Sequence, residues 1–102
     1  GLNDENANYF IENSYDTLIE LIRAKLFIDG FRSSGEGAHG AEISYMKNLG
    51  FSEEDIRFMN DLRYYRNGIL YYGENFDADY ASKVLLFLKE IYPRLVKLLE
   101  KR

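Results

Sequence analysis

The sequence predicts an all-α fold: an antiparallel up-and-down bundle of four main helices, one of them short, in a single domain of residues 1–102. Apolar residues recur at steps of three and four along three long segments. No segment alternates polar and apolar residues over the length of a strand, and no internal repeat is visible. The connections are mostly short, as in bundles whose neighbouring helices run antiparallel. A chain of 102 residues can also enclose a core of its own.

The first helix is predicted over residues 9–31, because its apolar side chains keep the spacing of one helix face until the pattern ends near Gly30. Its start is open, since three polar residues near the beginning are each suitable N-caps. The apolar face consists of Ile11, Tyr15, Leu18, Ile22 and Leu26, and the candidate caps are Asp4, Asn6 and Asn13.

A glycine- and serine-rich segment, FRSSGEGAHG at residues 31–40, predicts a loop, and a short second helix follows from about Ala41 to Leu49, closed by Gly50. Part of this loop fits the spacing G-x-G-x-x-G, but a dinucleotide-binding fingerprint needs a preceding strand, and none is predicted here. His39 lies in the same loop. Such a histidine is ordinarily solvated, unless the loop folds over the arginines of the third helix and brings an imidazole to them.

The third helix has clear start and stop signals. Ser52 is a suitable N-cap, and three acidic residues follow it in the first turn, where they oppose the positive end of the helix. Gly73 is a suitable stop. These signals predict a helix over residues 53–72.

The fourth helix is predicted from Ala78 to about Leu99, with Asp77 as its cap. Pro93 falls inside this pattern and is expected to kink the helix or to split it near Tyr92, because proline lacks a backbone donor. The run VLLFLKEIYPRLVKLL is apolar on more than one face. One packing contact does not require so much apolar surface, which favours burial against a partner.

Composition excludes several classes of function. The chain has no cysteine and only one histidine, which leaves no disulfide, no thiolate chemistry and no multi-histidine metal site within one chain. We therefore expect no metal and no cofactor. Neither a signal peptide nor an apolar run of roughly 18 residues is visible, which predicts a cytoplasmic protein without a membrane span. The net charge of −4 argues against coating nucleic acid by bulk electrostatics but permits a local basic site.

Helix three carries two faces when its residues are placed at about 100° intervals. One face is apolar and aromatic, and we expect it to face the core. The second face places two arginines between apolar residues, which suits neither a buried surface nor an ordinary solvated one. The core face consists of Phe58, Leu62, Tyr65, Ile69 and Tyr72, and the second face of Ile56, Met59, Arg63, Arg66, Asn67 and Leu70.

Two interpretations of the second face remain open. A second copy of the protein could cover it and leave a polar cleft over the arginines, which predicts a homodimer through helices three and four. Alternatively, Arg63 and Arg66 extend from the edge of the core and pair with Asp or Glu on helix one or four. Gly68 favours the first interpretation, since a glycine within a helix costs about 0.5–1 kcal/mol relative to alanine and suggests a close approach to the backbone.

The segment RYYRNGILYYG, residues 63–73, resembles the signature of the HEPN (higher eukaryotes and prokaryotes nucleotide-binding) superfamily. These small helical bundles carry on their third helix an arginine, a polar residue that is often asparagine, and then a histidine after a spacing of four to six residues. Arg66 and Asn67 match the start of this signature. The four-residue spacing leads to Tyr71, so tyrosine stands where the family has histidine.

The resemblance implies a dimer in which two Arg-Asn motifs face each other across a cleft and act on RNA without metal. Many members pair with a small nucleotidyltransferase in toxin–antitoxin or defence systems, and others only bind nucleotides or proteins. It assigns Arg66 to the phosphate and lets Asn67 orient either the substrate or Arg66. Tyr71 takes the position of the catalytic histidine. A tyrosine hydroxyl donates a proton but is a poor base at neutral pH, so cleavage should be weak or absent while binding persists.

Three functions follow as alternatives. The first is a metal-independent ribonuclease, with Arg66 and Tyr71 as catalytic residues. The second is a non-catalytic binding module that recognises a nucleotide, RNA or a partner protein through the same cleft. In it, Arg63 and Asn67 contact the ligand, and Tyr64 stacks on a base if the ligand has one. The third is a protein-interaction or scaffolding dimer, whose arginines form only interface ion pairs. We favour binding with weak ribonuclease activity.

Overall fold

The computed structural model describes residues 1–32, 35 and 37–101. Ser33, Ser34 and Glu36 of the predicted loop, and Arg102, lie outside the described residues. The described part of the chain is all helical and contains no strand, which confirms the predicted fold class. Its helices are α1 (Ala7–Ile28), α2 (Ala38–Tyr45), α3 (Glu53–Tyr72) and α4 (Ala78–Glu100).

The three long helices run up, down and up. The start of α4 lies beside the start of α1, where the backbone N–H of Ala78 donates to Asp4 Oδ1 at 2.8 Å. The start of α3 lies beside the end of α4, where Arg94 Nη1 is 3.4 Å from Asp55 Oδ2. Because residues 73–77 join α3 directly to α4, these two helices are antiparallel, and α1 is parallel to α4.

The short helix α2 does not alternate with α1 as a strict up-and-down bundle would require. Residues later in α2 contact residues later in α1 or just after it, so the two helices are parallel. The start of α2 therefore lies beside the middle of α1 and not beside its end. The contacts, in order, are Tyr15–His39, Arg23–Glu42 and Asp29–Tyr45.

Helix α2 occupies a different stretch from the one predicted. It begins three residues earlier, after Gly37 turns the chain with a φ of 85°, a value that glycine adopts readily. It also ends earlier, because the backbone over residues 46–50 forms tight turns with hydrogen bonds mostly spanning three residues. His39 therefore lies in the first turn of a helix, and the prediction that it lies in a loop is wrong.

The boundaries of α3 agree with the prediction at both ends. The backbone N–H of Asp55 donates to Ser52 Oγ at 3.1 Å, and Gly73 ends the helix with a φ of 64°. Helix α4 has its predicted cap as well, since the N–H of Tyr80 donates to Asp77 Oδ1 at 2.9 Å. These caps satisfy backbone donors within a few residues of sequence, which is why local signals predict them.

Helix α4 continues unbroken through Pro93, so of the two predicted alternatives, a kink or a split near Tyr92, the split is wrong. A proline at this position removes the donor that would bond to the carbonyl of Lys89. Both residues are exposed, and water can therefore solvate the carbonyl. In the described residues, no helix combines the length and the apolar character needed to cross a bilayer.

The core lies where α1 packs against the other helices. Helix α3 contributes fully buried Met59 and Leu62 to it, while Ile56 and Phe58 pack partly buried against its edge. The prediction that Met59 lies on a surface for a second copy is therefore wrong. Tyr72 is 81% exposed, so its place on the core face was also wrong. The buried face of α3 is therefore rotated from the predicted one. It includes Met59 and excludes Tyr72.

Gly68 is approached by a neighbouring residue of the same chain. A Cβ added at this position would overlap the carboxylate of Glu74, whose backbone N–H donates to the Gly68 carbonyl at 3.2 Å. The close approach inferred from this glycine is real, but it needs no second copy of the protein.

Candidate functional site

A cleft of about 510 Å³ lies between the start of α2 and the second half of α3. Helix α3 supplies two guanidinium groups, one amide and one phenol to it, while α2 supplies an imidazole. The described residues that line this cleft are Gly35, Gly37, Ala38, His39, Arg63, Arg66, Asn67 and Tyr71.

Four of the five site residues predicted from the sequence line this cleft. Arg63, Arg66, Asn67 and Tyr71 lie within two turns of α3, so their proximity follows from helical spacing. Tyr64 does not line the cleft. Its ring is 73% exposed beside the cleft-lining residues of α3 and contacts the Tyr65 ring edge-on at 5.7 Å between centroids, which leaves it outside the cleft but accessible.

Arg66 is held in place by α1. Its Nη2 lies 3.0 Å from Asp16 Oδ1, and its Cζ lies 5.3 Å from the centre of the Tyr15 ring. Within α3, Nη1 donates to Asn67 Oδ1 at 3.4 Å. The alternative prediction of an ion pair with helix one is thus confirmed for this arginine. Because Asp16 is about half exposed, water screens the pair, and pairs of this kind contribute about 1 kcal/mol or less.

Arg66 keeps hydrogen-bonding capacity despite this pairing. Its Nε is buried and has no hydrogen-bond partner in the described residues. A buried N–H without an acceptor costs free energy. A guanidinium whose donors are only partly used can still donate hydrogen bonds to an anion.

Arg63 differs from Arg66 in its charge environment. It has no ion pair or hydrogen bond with any residue that the structure describes. Its guanidinium rests against α2, since a Cβ added at Gly40 would lie only 3.1 Å from Nη1. The cleft therefore contains a cation without a described carboxylate partner beside one that is half paired.

His39 completes the cleft from α2. Its Nδ1 lies 2.8 Å from the Tyr15 hydroxyl, and its Nε2 lies 3.4 Å from Nη2 of Arg23. A guanidinium only donates hydrogen bonds, so the nitrogen that faces Arg23 is the acceptor and the ring proton lies on Nδ1. Burial lowers the pKa of His39; the nearby Glu42 opposes this shift, and the guanidiniums of Arg23, Arg66 and Arg63 add to it. The ring is thus neutral at neutral pH.

The position of His39 depends on a polar contact between α1 and α2. Glu42 is fully buried, and Arg23 contacts its two oxygens at 2.6 and 3.2 Å. The hydrogen bond to Glu42 is the main reason why the pKa of Arg23 is raised. Burial also raises the pKa of Tyr15 to about 12, so its hydroxyl stays protonated. These groups fix the first turn of α2 against α1.

We expect the lowered pKa of His39 to make folding stability depend on pH. Below about pH 6.5 the unfolded chain binds a proton on His39 that the folded chain does not yet bind, so the free energy of unfolding falls. Above that pH this contribution is constant. Urea unfolding at about pH 5.5 and 7.5 should show a larger loss on acidification for the wild type than for His39→Gln. Equal losses would contradict a lowered pKa.

Sequence reasoning placed His39 outside the main site because α2 was predicted to begin after it. The available signal was weak: the single histidine of the chain, close to several glycines.

No cluster of three or more metal-ligating side chains occurs in the described residues. No family model matches this chain, and neither the curated proteins nor the solved structures contain a match. The HEPN resemblance therefore stays a prediction.

Proposed function

We propose that the cleft binds the phosphate groups of RNA or of a nucleotide, as a HEPN-like domain with weak metal-independent ribonuclease activity. The observation that supports this most is the pairing of Arg63 and Arg66 in one open cleft of a chain whose net charge is −4. Positive groups are concentrated here against the overall charge. Guanidinium groups bind phosphate oxygens with two parallel hydrogen bonds and stay charged at any physiological pH.

The aromatic rim favours a ligand with nucleobases. Tyr71 lines the cleft and is 71% exposed, and Tyr64 lies beside it on the same helix. Unpaired bases stack on such rings with about 1–3 kcal/mol per base. Asn67 adds an amide that can orient either the ligand or Arg66. This set of groups suits single-stranded RNA or a nucleotide better than a simple inorganic anion.

Homodimerisation through α3 and α4 belongs to the same proposal, as does a small nucleotidyltransferase partner in a cytoplasmic toxin–antitoxin or defence system. These elements rest on the resemblance. The apolar surface available for a dimer is smaller than the sequence predicted, since Met59 and Ile56 pack into the core. Leu70 and Tyr72 remain exposed on α3, and Leu86 on α4.

A protein-interaction or scaffolding dimer is the second candidate. Tyr9 lines a groove between α1 and α4, and Leu86 lies elsewhere on α4; both side chains are large, apolar and more than 60% exposed. Sedimentation velocity over a wide concentration range measures the oligomeric state, which the protein-interaction candidate requires to be a dimer. Dimerisation that Leu86→Lys abolishes without affecting RNA binding would support an interaction role for this surface.

Arg63→Ala is expected to weaken binding of a single-stranded RNA of about 12 nucleotides roughly tenfold. It should also make the slope of log affinity against log salt concentration less steep, by the amount that about one phosphate contact contributes. The measurement is fluorescence anisotropy at several salt concentrations, with AMP as a competing nucleotide. Arg57→Ala is the matched control, because Arg57 is an exposed arginine of α3 that does not line the cleft.

The control should bind with nearly the wild-type affinity. Equal losses in Arg63→Ala and Arg57→Ala would show that only the general charge of α3 matters and would contradict a specific cleft. If the wild type binds neither RNA nor nucleotide, the proposed function fails and the protein-interaction role remains.

A further inference from the structure

Among the described residues that line the cleft, one side chain can accept a proton at neutral pH. Arginine keeps its charge, asparagine has no titratable group, and the hydroxyl of Tyr71 is a donor. His39 is the exception among the described lining residues, because its ring is neutral and Nε2 carries a lone pair. It enters from α2, on the opposite side of the cleft from Arg63, Arg66 and Asn67.

We propose that His39 is the catalytic base of this cleft, accepting the proton of a ribose 2'-hydroxyl whose neighbouring phosphate is bound by Arg63 and Arg66. This inference rests on the proposed function and adds the residue that would make cleavage work. It moves the acid–base role from Tyr71 on α3 to a side chain on a different helix. Tyr71 then serves as a ring on which a base stacks.

The bonds and protons of the step balance. The 2'-oxygen forms a bond to phosphorus while His39 Nε2 takes the hydroxyl proton, and the bond from phosphorus to the 5'-oxygen breaks. The departing oxygen takes a proton from water in the open cleft, and the imidazolium later returns its proton to water. The products are a 2',3'-cyclic phosphate and a 5'-hydroxyl end. No metal, oxidant or other co-reactant is consumed.

Two neighbours from α1 act as positioning residues. The Tyr15 hydroxyl lies 2.8 Å from Nδ1, accepts the hydrogen bond of the Nδ1–H group and so holds the ring in position. Arg23, which forms an ion pair with buried Glu42, makes a long contact of 3.4 Å with Nε2. That contact is long enough for a substrate hydroxyl, which can approach to about 2.8 Å, to replace it.

The charges around the ring come from all three packed elements. Arg23 extends from α1, Glu42 from α2 itself, and Arg63 and Arg66 from α3. The surrounding guanidiniums disfavour the imidazolium, and a bound phosphate offsets part of that repulsion. His39 is therefore a base at neutral pH, and the pH profile should report its protonation as the medium becomes acidic.

The first experiment measures cleavage of single-stranded RNA by the full chain and analyses the product ends. Wild type is expected to produce 2',3'-cyclic phosphate ends, and His39→Gln to cleave at least about 100-fold more slowly with RNA affinity within about threefold of wild type. Arg57→Ala, purified in parallel, should cleave at the wild-type rate, and the loss of cleavage in identically purified His39→Gln would exclude a contaminating nuclease. Tyr15→Phe should shift the acid limb of the kcat profile, which a merely structural role would not do.

The second experiment needs no activity. Since the chain has a single histidine, its Cε1–H resonance is unique in an NMR spectrum. Titration with and without an RNA analogue carrying a 2'-deoxyribose at the scissile position should show a higher pKa of His39 in the complex. Arg66→Ala should abolish that shift, because the phosphate is no longer held beside the ring.

The outcomes separate this inference from the proposed function. Binding without cleavage, or equal cleavage by wild type and His39→Gln, overturns the role of His39 while the binding function stands. A His39 resonance that ignores the bound analogue overturns it as well. Absence of any RNA or nucleotide binding overturns both.

Discussion

Met59→Ala is expected to lower the free energy of unfolding by about 2–5 kcal/mol. The side chain is fully buried in the hydrophobic core, to which all four helices contribute. Its truncation removes apolar contacts and leaves a cavity that close-packed neighbours fill only in part. Urea unfolding at two protein concentrations tenfold apart measures the effect. A residue of the monomer core gives the same loss at both concentrations, whereas a residue between two subunits does not.

Leu70→Ala is the matched control, since the sequence places Leu70 on the same face of α3 and the structure leaves it about half exposed. We expect its cost to be about 0.5 kcal/mol or less. A similar cost for both variants, or a loss for Met59→Ala that disappears at high protein concentration, would contradict the position of Met59 in the core. It would also restore the larger dimer surface on α3.

Arg66→Ala is expected to weaken binding of single-stranded RNA at least tenfold, which is about 1.4 kcal/mol or more. Hydrogen bonds to a charged group contribute about 1.5–3 kcal/mol each, and truncation removes all of them. The effect should exceed that of Arg63→Ala, because the Tyr15 ring and Asn67 Oδ1 already hold this guanidinium in position. Less conformational entropy is then lost when the ligand binds.

Asp16→Ala is the control for this prediction. It removes the carboxylate at 3.0 Å from Arg66 Nη2 but keeps the guanidinium in the cleft. If Arg66 binds phosphate, loss of the competing carboxylate should leave affinity unchanged or raise it. Wild-type affinity in Arg66→Ala, with circular dichroism confirming an intact fold, would remove Arg66 from the site. A large loss in Asp16→Ala would assign the effect to the ion pair instead.

Local sequence determined the helical fold class and most helix ends. Ser52, Gly73 and Asp77 act on backbone groups within a few residues, so their effect can be predicted without knowing the rest of the molecule. The start of α2 was less predictable. Gly37 reverses the chain there, yet several nearby glycines could have done so, and the packing of α2 against α1 selects among them.

In the candidate site, too, some features follow from local sequence and others depend on how the helices pack. Arg63, Arg66, Asn67 and Tyr71 come from one helix, and helical spacing alone brings them to one side. Which side of α3 is buried depends on how α1 packs, so the sequence misplaced Met59 and Tyr72.

Only the tertiary structure decided what surrounds the two arginines. Asp16 and Tyr15 reach Arg66 across 50 or so positions of sequence, and His39 reaches the cleft on a separate helix. Such contacts depend on the relative position of three helices, which side-chain packing of the whole core sets and no local pattern records. The sequence by itself therefore determined the cations of the site. Packing decided that one has a carboxylate partner and that an imidazole lies opposite them.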